Sequence, residues 1–379
     1  MRRSLTMAAG LGWGLQFAFL SPALALVLVS VFGASDAQVG LVLAIANAAG
    51  LAASIVLPLL ADRARDYVRP MILCAVLTLV LAGALSLAPS LVWATVALVV
   101  LGAPAGVGNA LLFAHVRHSG ATTAETMNVR AAVSFAWVAG PPIASFVMAA
   151  AGPRSVFALL AGVALYNLVL AVLLARGGRV PVGERPEVSP DAPPARVHWA
   201  IVVTVMAVFA VLQATNTAGV AVMNLLVTTM GESIAWAGVA LGLAAGLEVP
   251  ALILIGRLGH RFSALSLLMA GCVVGATYYG LVAFGHGLVP LLAGQLLNAA
   301  FYAVVAGIGL TYFQGIVDRP GLATGLYMNA SRLGSIFSGA IIAGGTATGL
   351  GYAGVYALNG VLTVVALAVV TVLRLRAKS

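Results

Sequence analysis

Glu248 stands in the run Leu243–Gly256, LAAGLEVPALILIG, which holds no other charge. A charge in mid-bilayer costs ~2.5–3.5 kcal/mol on insertion scales, so such residues usually face a cavity or a partner. A carboxyl in apolar surroundings keeps its proton, and a carboxyl beside a cation gives it up. One whose surroundings alternate between the two can take up a proton on one side of a membrane and release it on the other. Two other readings stay open. Glu248 can be a structural carboxyl paired permanently with an arginine, or an acceptor for a solute hydroxyl.

The remaining acids lie in loops, at helix ends or in a polar linker, which leaves Glu248 as the one deep carboxylate. Arg130 and Arg332 are the cations within apolar runs. An arginine fork holds a carboxylate or two hydroxyls; a long side chain also allows snorkelling to the interface. Asn47, Asn109, Gln213, Asn216, Gln295, Asn298 and Asn329 supply donors and acceptors suited to neutral polyols. Trp13, Trp137, Phe301, Tyr302 and Tyr327 offer aromatic faces to the apolar side of a ring. The expected solute site comprises Asn47, Asn109, Arg130, Trp137, Gln213, Asn216, Glu248, Gln295, Asn298, Tyr327, Asn329 and Arg332, with Glu248 and Arg130 coupling protons. Helix packing or interface anchoring is the competing role for each amide and aromatic.

These residues need helices to hold them. The chain has 379 residues, 62% hydrophobic and 8% charged, against about a quarter charged in soluble domains. A span needs ~20 apolar residues, and twelve such runs follow one another, from Leu5–Phe32 to Tyr352–Leu373. This predicts an all-α integral membrane protein. The polar, Pro-rich stretch RGGRVPVGERPEVSPDAPPARVH reads as a linker. It divides the chain into six-helix bundles at 1–175 and 197–379, joined by a linker at 176–196. With the N-terminus inside, every Lys and Arg except Arg130, Arg154 and Arg332 falls on the cytoplasmic side, a strong positive-inside bias. The net charge of +9 is then a topology signal, and a nucleic-acid partner is not expected.

Six plus six spans suggest a duplicated transporter. MNVRAAVSF at Met127 and MNASRLGSIF at Met328 occupy equivalent places, each followed by an intramembrane arginine. No P-loop and no HExxH motif occurs. Cys74 and Cys272 fall in separate apolar runs and form no disulfide framework or metal site. Neither an enzyme nor a cofactor is expected, with a proton gradient as the driving force. A sensor would need a soluble domain longer than the linker.

The loop PLLADRARDYVRP, Pro58–Pro70, resembles the G-x-L-x-D-R-x-G-R-[KR] signature of the major facilitator superfamily. Leu60, Asp62, Arg63 and basic Arg69 match, while Pro58 replaces the first Gly and the second is missing. In the second half His260 stands where the Asp would be. The resemblance gives Asp62, Arg63 and Arg69 a conformational role as a latch. Gly140-Pro141-Pro142 resembles the Gly-Pro signature of the superfamily's antiporters, which lets helices pack closely and limits leak; a generic proline kink is the plainer reading.

FAWVAGPP (Phe135–Pro142), AAGLEVPALILIG (Ala244–Gly256) and QLLNAAFYAVVAGIGLTYFQ (Gln295–Gln314) resemble the sugar efflux transporter family of bacterial inner membranes. The resemblance covers nearly the whole chain. It implies twelve helices in two bundles, alternating access, and export of a sugar or sugar-like solute by proton antiport. It also implies a monomer in the cytoplasmic membrane, surrounded by lipid, with both termini inside. Two departures stand out: Val222 occupies the neighbourhood of an acid in the family pattern, and Arg332 a place that is usually uncharged. Proton-coupled efflux of drugs or amphiphiles is the alternative, since the Gly-Pro signature is shared.

Overall fold

The computed structural model describes residues 2–64, 66–119, 123–176, 199–317 and 320–376. Beyond Arg176, the expected linker at 176–196 lies outside the described residues. Twelve helical segments follow in order: α1 Arg2–Phe32, α2 Asp36–Ala64, α3 Val68–Leu87, α4 Leu91–Val116, α5 Thr123–Ala151, α6 Ser155–Arg176, α7 Trp199–Thr229, α8 Ile234–Leu258, α9 Ala264–Phe284, α10 Leu288–Ile316, α11 Pro320–Thr346 and α12 Tyr352–Arg376. No strand occurs among the described residues. Eleven of these helices are long and apolar enough to cross a membrane. The one outside that set is α11, which carries Asn329, Ser331, Arg332, Ser335 and Ser338 in close succession.

The chain divides into two compact units, Met1–Ala34 with Ile45–Asp191, and Ser35–Ala44 with Ala192–Ser379. Residues 35–44 therefore pack with the second unit, although they open the second helix of the first half. The reason is local. Gly40 and Gly339 meet so closely that a Cβ on either would fall on the other's carbonyl oxygen. Tyr352 donates its hydroxyl to Asp36 Oδ1 at 2.6 Å beside this contact.

Within the first unit α1 packs on α5 and α6, and α3 packs on α6; within the second α7 packs on α11 and α12, and α9 on α12. The same pairs recur six helices later, which is the duplication that the Met-Asn repeat suggested. Both α1–α5 and α7–α11 approach through small residues. A Cβ on Gly14 would lie 2.7 Å from that of Ala136, and one on Gly140 would fall on Ala18. A Cβ on Gly334 would lie 2.6 Å from the Ala210 carbonyl oxygen. Helices in lipid gain little hydrophobic drive from one another, so backbones that approach closely must supply van der Waals contact instead. An asparagine also ties the last helix of each half to the first. Asn167 Nδ2 on α6 donates to Gln16 Oε1 on α1 at 3.5 Å, and Asn359 Nδ2 on α12 donates to the Thr215 carbonyl on α7 at 3.0 Å.

The halves differ at α4. A single continuous helix was expected there, but Leu91–Ala97 passes into a π-helical segment, Leu98–Gly102, and a turn follows Ala105 before the helix resumes at Gly108. Pro104 has no N–H to give and its ring crowds the preceding turn, and Gly102 and Gly106 flank it. The α5 helix, by contrast, runs unbroken through Pro141 and Pro142.

Overpacking a closed helix seam costs about 1–3 kcal/mol. Gly334→Leu should therefore lower the thermal unfolding midpoint in detergent, whereas Gly83→Leu should leave it almost unchanged, since no atom lies within 4 Å of a Cβ there. Equal midpoints for the two variants would show that the α7–α11 seam yields.

Candidate functional site

Glu248 is half-buried on α8, two residues before Pro250. In its own unit it acts electrostatically on Tyr302 of α10, as does Tyr327 of α11, and Tyr302 also faces the Gln213 side chain of α7. Gln213 is 6% exposed, and its Nε2 donates to Ser331 Oγ on α11 at 3.1 Å. Four helices thus bring a carboxyl, an amide, a serine and two tyrosines into one group. The floor of this group is aromatic: Phe209 packs against Phe313 with centroids 5.6 Å apart and edge-on to Tyr327 at 6.2 Å.

The geometry of α10 explains which residues join. Gln295, Asn298 and Tyr302 lie three and four residues apart, so they form one stripe on the helix. Gln295 and Asn298 are buried at 0% and 7% exposure. Gln295 Nε2 donates back to the Leu291 carbonyl at 2.9 Å, and Asn298 Nδ2 donates to Gln295 Oε1 at 3.2 Å. The stripe faces α7, where Gln213 stands near Tyr302, and Asn216 lines a small cavity together with Asn298.

On α11 the expected residues separate. Tyr327, Ser331 and Gly334 share the face turned to α7. Asn329 is exposed and Arg332 half-buried on neighbouring faces. Among the described residues no ion pair joins Arg332 to Glu248.

In the first unit, Arg130 is exposed on α5, two turns before half-buried Trp137 on the same face. The adjacent seam of α5, about 100° round the helix, is buried through Val129, Ala136 and Gly140. Asn47 on α2 and Asn109 on α4 are half-buried, and the Asn109 side-chain Oδ1 is buried without a hydrogen-bond partner. Trp13 and Phe301, offered by the sequence as ring-stacking faces, are 1% and 0% exposed. Trp13 closes over Gly108 and Phe301 packs edge-on to Tyr279 at 5.8 Å, so both belong to bundle cores.

At the loop after α2, Asp62 accepts from the Tyr67 hydroxyl at 2.5 Å. Its neighbour Asp66, read from sequence only as a loop acid, takes the capping role: its Oδ1 accepts from the backbone N–H groups of Val68 and Arg69 at 3.0 and 3.1 Å. The signal was an acid two residues ahead of the first helical residue. Arg69 Nε lies 3.3 Å from Asp66 Oδ2 but is largely exposed, so that pair adds little. Arg63 is exposed. Both cysteines are free and buried, and no group of metal-ligating side chains gathers among the described residues.

Residues 4–339 match the family model described as Major Facilitator Superfamily. The chain belongs to the Major Facilitator Superfamily. It is also 31% identical over 366 residues to sugar efflux transporter A of Escherichia coli strain K12, covering 93% of this chain and 91% of that one, which places it in the sugar efflux transporter family. A putative sugar efflux transporter of Deinococcus radiodurans is 34% identical over 249 residues, 63% of this chain and 62% of the relative. Among solved facilitator-fold structures, the nucleoside transporter NupG superposes with a TM-score of 0.74 at 14% identity, covering 98% of this chain and 97% of that one. A D-xylose–proton symporter gives 0.73 at 15% identity, covering 97% and 96%. At such identities the structures establish the fold alone, a multi-pass membrane bundle.

Removing an N-terminal cap costs about 1 kcal/mol. Asp66→Ala should lower the unfolding midpoint more than Asp62→Ala, because Asp66 holds two backbone donors and Asp62 only a side chain; differential scanning fluorimetry of the two variants orders them.

Proposed function

We propose that this protein exports sugars or sugar-like small polar solutes from the bacterial cytoplasm by proton antiport with alternating access. The observation that carries the reading is the group around Glu248. A lone half-buried carboxyl on α8 acts electrostatically on Tyr302 of α10, which faces Gln213 of α7 and Tyr327 of α11. A carboxyl there exchanges a proton, and the amide and phenols exchange hydrogen bonds with hydroxyls. The tyrosine rings offer apolar faces to a sugar ring. The names of the relatives, sugar efflux transporters A and C of Escherichia coli among them, support the same solute class.

In this reading Glu248 carries the proton. Gln213, Asn216, Tyr302 and Tyr327 contact solute in the second unit, with Asn298 and Gln295 behind them. Arg130, Trp137, Asn47 and Asn109 supply the polar and aromatic groups of the first unit. Arg332, which stands where the family resemblance implies an uncharged residue, tunes which solute is taken. No cofactor is required, the proton gradient supplying the energy, and the protein works as a monomer in the inner membrane with both termini cytoplasmic.

Purified protein in liposomes containing a pH-sensitive dye tests this. With no imposed proton gradient, a glycoside should move protons in the wild type. Glu248→Gln should abolish that movement while solute–solute exchange continues, because a permanently neutral side chain mimics one protonation state. Proton movement triggered only by lipophilic cations would replace the solute class with amphiphiles, and proton movement unaltered in Glu248→Gln would remove Glu248 from the proton path.

Tyr302→Phe keeps the ring and deletes one hydrogen-bonding group. A net hydrogen bond is worth about 0.5–1.5 kcal/mol, so glycoside affinity should fall about two- to tenfold, measured by isothermal titration or by solute protection against unfolding.

A further inference from the structure

A small cavity lies in the second unit, bordered by Asn216, Gly219 and Met223 of α7, Leu241 of α8, Tyr279 of α9 and Asn298 of α10. Its volume, about 10 Å³ measured at the centre of a water-sized sphere, is that of a single water position. Two buried polar atoms beside it have no hydrogen-bond partner, Asn298 Oδ1 and the Tyr279 hydroxyl.

The orientation of the Asn298 amide follows from its neighbours. Gln295 spends its Nε2 on the Leu291 carbonyl, so it presents Oε1 to Asn298. Only the Asn298 nitrogen can donate there, which turns the carbonyl oxygen away as an acceptor without a donor. Tyr279 is in a similar position. The Thr215 side chain faces its hydroxyl with lone pairs only, its own proton going to the Leu212 carbonyl at 2.8 Å, and the phenol oxygen is left without a partner in hydrogen-bond geometry. Asn298 is 7% and Tyr279 1% exposed, so bulk solvent does not satisfy either. Orphaned polar groups of this kind are rare in native interiors and are usually resolved by an ordered water or a ligand.

We infer that this cavity is a binding site for one hydroxyl group, with Asn298 Oδ1 as its acceptor, Tyr279 as a second partner and Asn216 at its rim. A water molecule and a hydroxyl of a polyol share the required chemistry, a donor small enough for the space with a lone pair left over. The site lies one turn of α10 from Tyr302, which faces Glu248. A hydroxyl held here extends the polar stripe of α10 away from the carboxyl and towards the α7–α9 interior. The water occupant stands independently of the transport reading; the solute occupant rests on it.

X-ray radiolytic footprinting of the full-length protein in nanodiscs tests the inference, since the radicals form from water already in place. Met223 is 1% exposed, as buried as Met71 at 0%, and Met71 sits in the apolar cluster of the first unit with Trp13, Leu111 and Leu112. Met223 should be oxidised several-fold faster than Met71. Asn298→Leu, which fills the space and removes the acceptor, should bring Met223 down to the Met71 rate. Added methyl glucoside that slows Met223 oxidation identifies a solute hydroxyl as the occupant; a rate unchanged by glucoside identifies a resident water. Met223 and Met71 reacting at the same slow rate in the wild type would overturn the site, as would fast Met223 oxidation that survives Asn298→Leu. Failure of the transport reading would show separately, as a glucoside that neither binds nor moves protons while Met223 remains reactive.

Discussion

Hydrocarbon offers no hydrogen bonds, and every other feature of this protein follows from that deficit. Backbone groups must pair within their own helix, so a chain that is 62% hydrophobic folds into helices throughout its described length. Side-chain hydroxyls meet the same demand locally. Thr78 donates to the Cys74 carbonyl, Thr95 to Leu91, Thr204 to Ala200 and Thr371 to Leu367, each one turn back along its own helix. Such residues can stand anywhere on a span. Amides have more polar atoms than one turn can satisfy, so they mark the surfaces where helices meet: Gln16 with Asn167, Gln213 with Ser331, Asn359 with Thr215. A carboxyl has still fewer options, and Glu248 stands half-buried on α8 near Tyr302 of α10.

Much of the scaffold was legible because apolar length is a strong signal. The first apolar run, read as Leu5–Phe32, became Arg2–Phe32, and the last, read as Tyr352–Leu373, became Tyr352–Arg376. The duplication was legible as a Met-Asn repeat and reappeared as matching helix pairs. The break in α4 was not read, although Gly102, Pro104 and Gly106 announced it; hydropathy averaging passes over a two-residue interruption.

The candidate site was legible in part, and for a physical reason. Glu248 was conspicuous because charge is scarce. Gln213, Tyr302 and Tyr327 were visible as polar or aromatic residues in spans, but which of them meet depends on how each helix is rotated, and one residue of rotation moves a side chain by about 100°. Phe301 and Tyr302 make the point. They are adjacent in sequence, yet Phe301 is sealed in the core against Tyr279 while Tyr302 faces Glu248. Asn359 and Tyr279 were not among the expected polar contacts, although a lone amide in α12 stands out in the same way as the lone acid in α8.

The π segment of α4 also sets a limit on how that span can be mapped. A π turn carries extra residues before the helix resumes its ordinary winding, and the turn at Gly106–Val107 adds a second offset. Residues before Leu98 and after Gly108 therefore follow two helical wheels with different phases. A labelling or tryptophan scan along the span will show one wave of accessibility that ends and another that starts out of step. Fitted as a single period, such data would turn Asn109 towards the wrong neighbour.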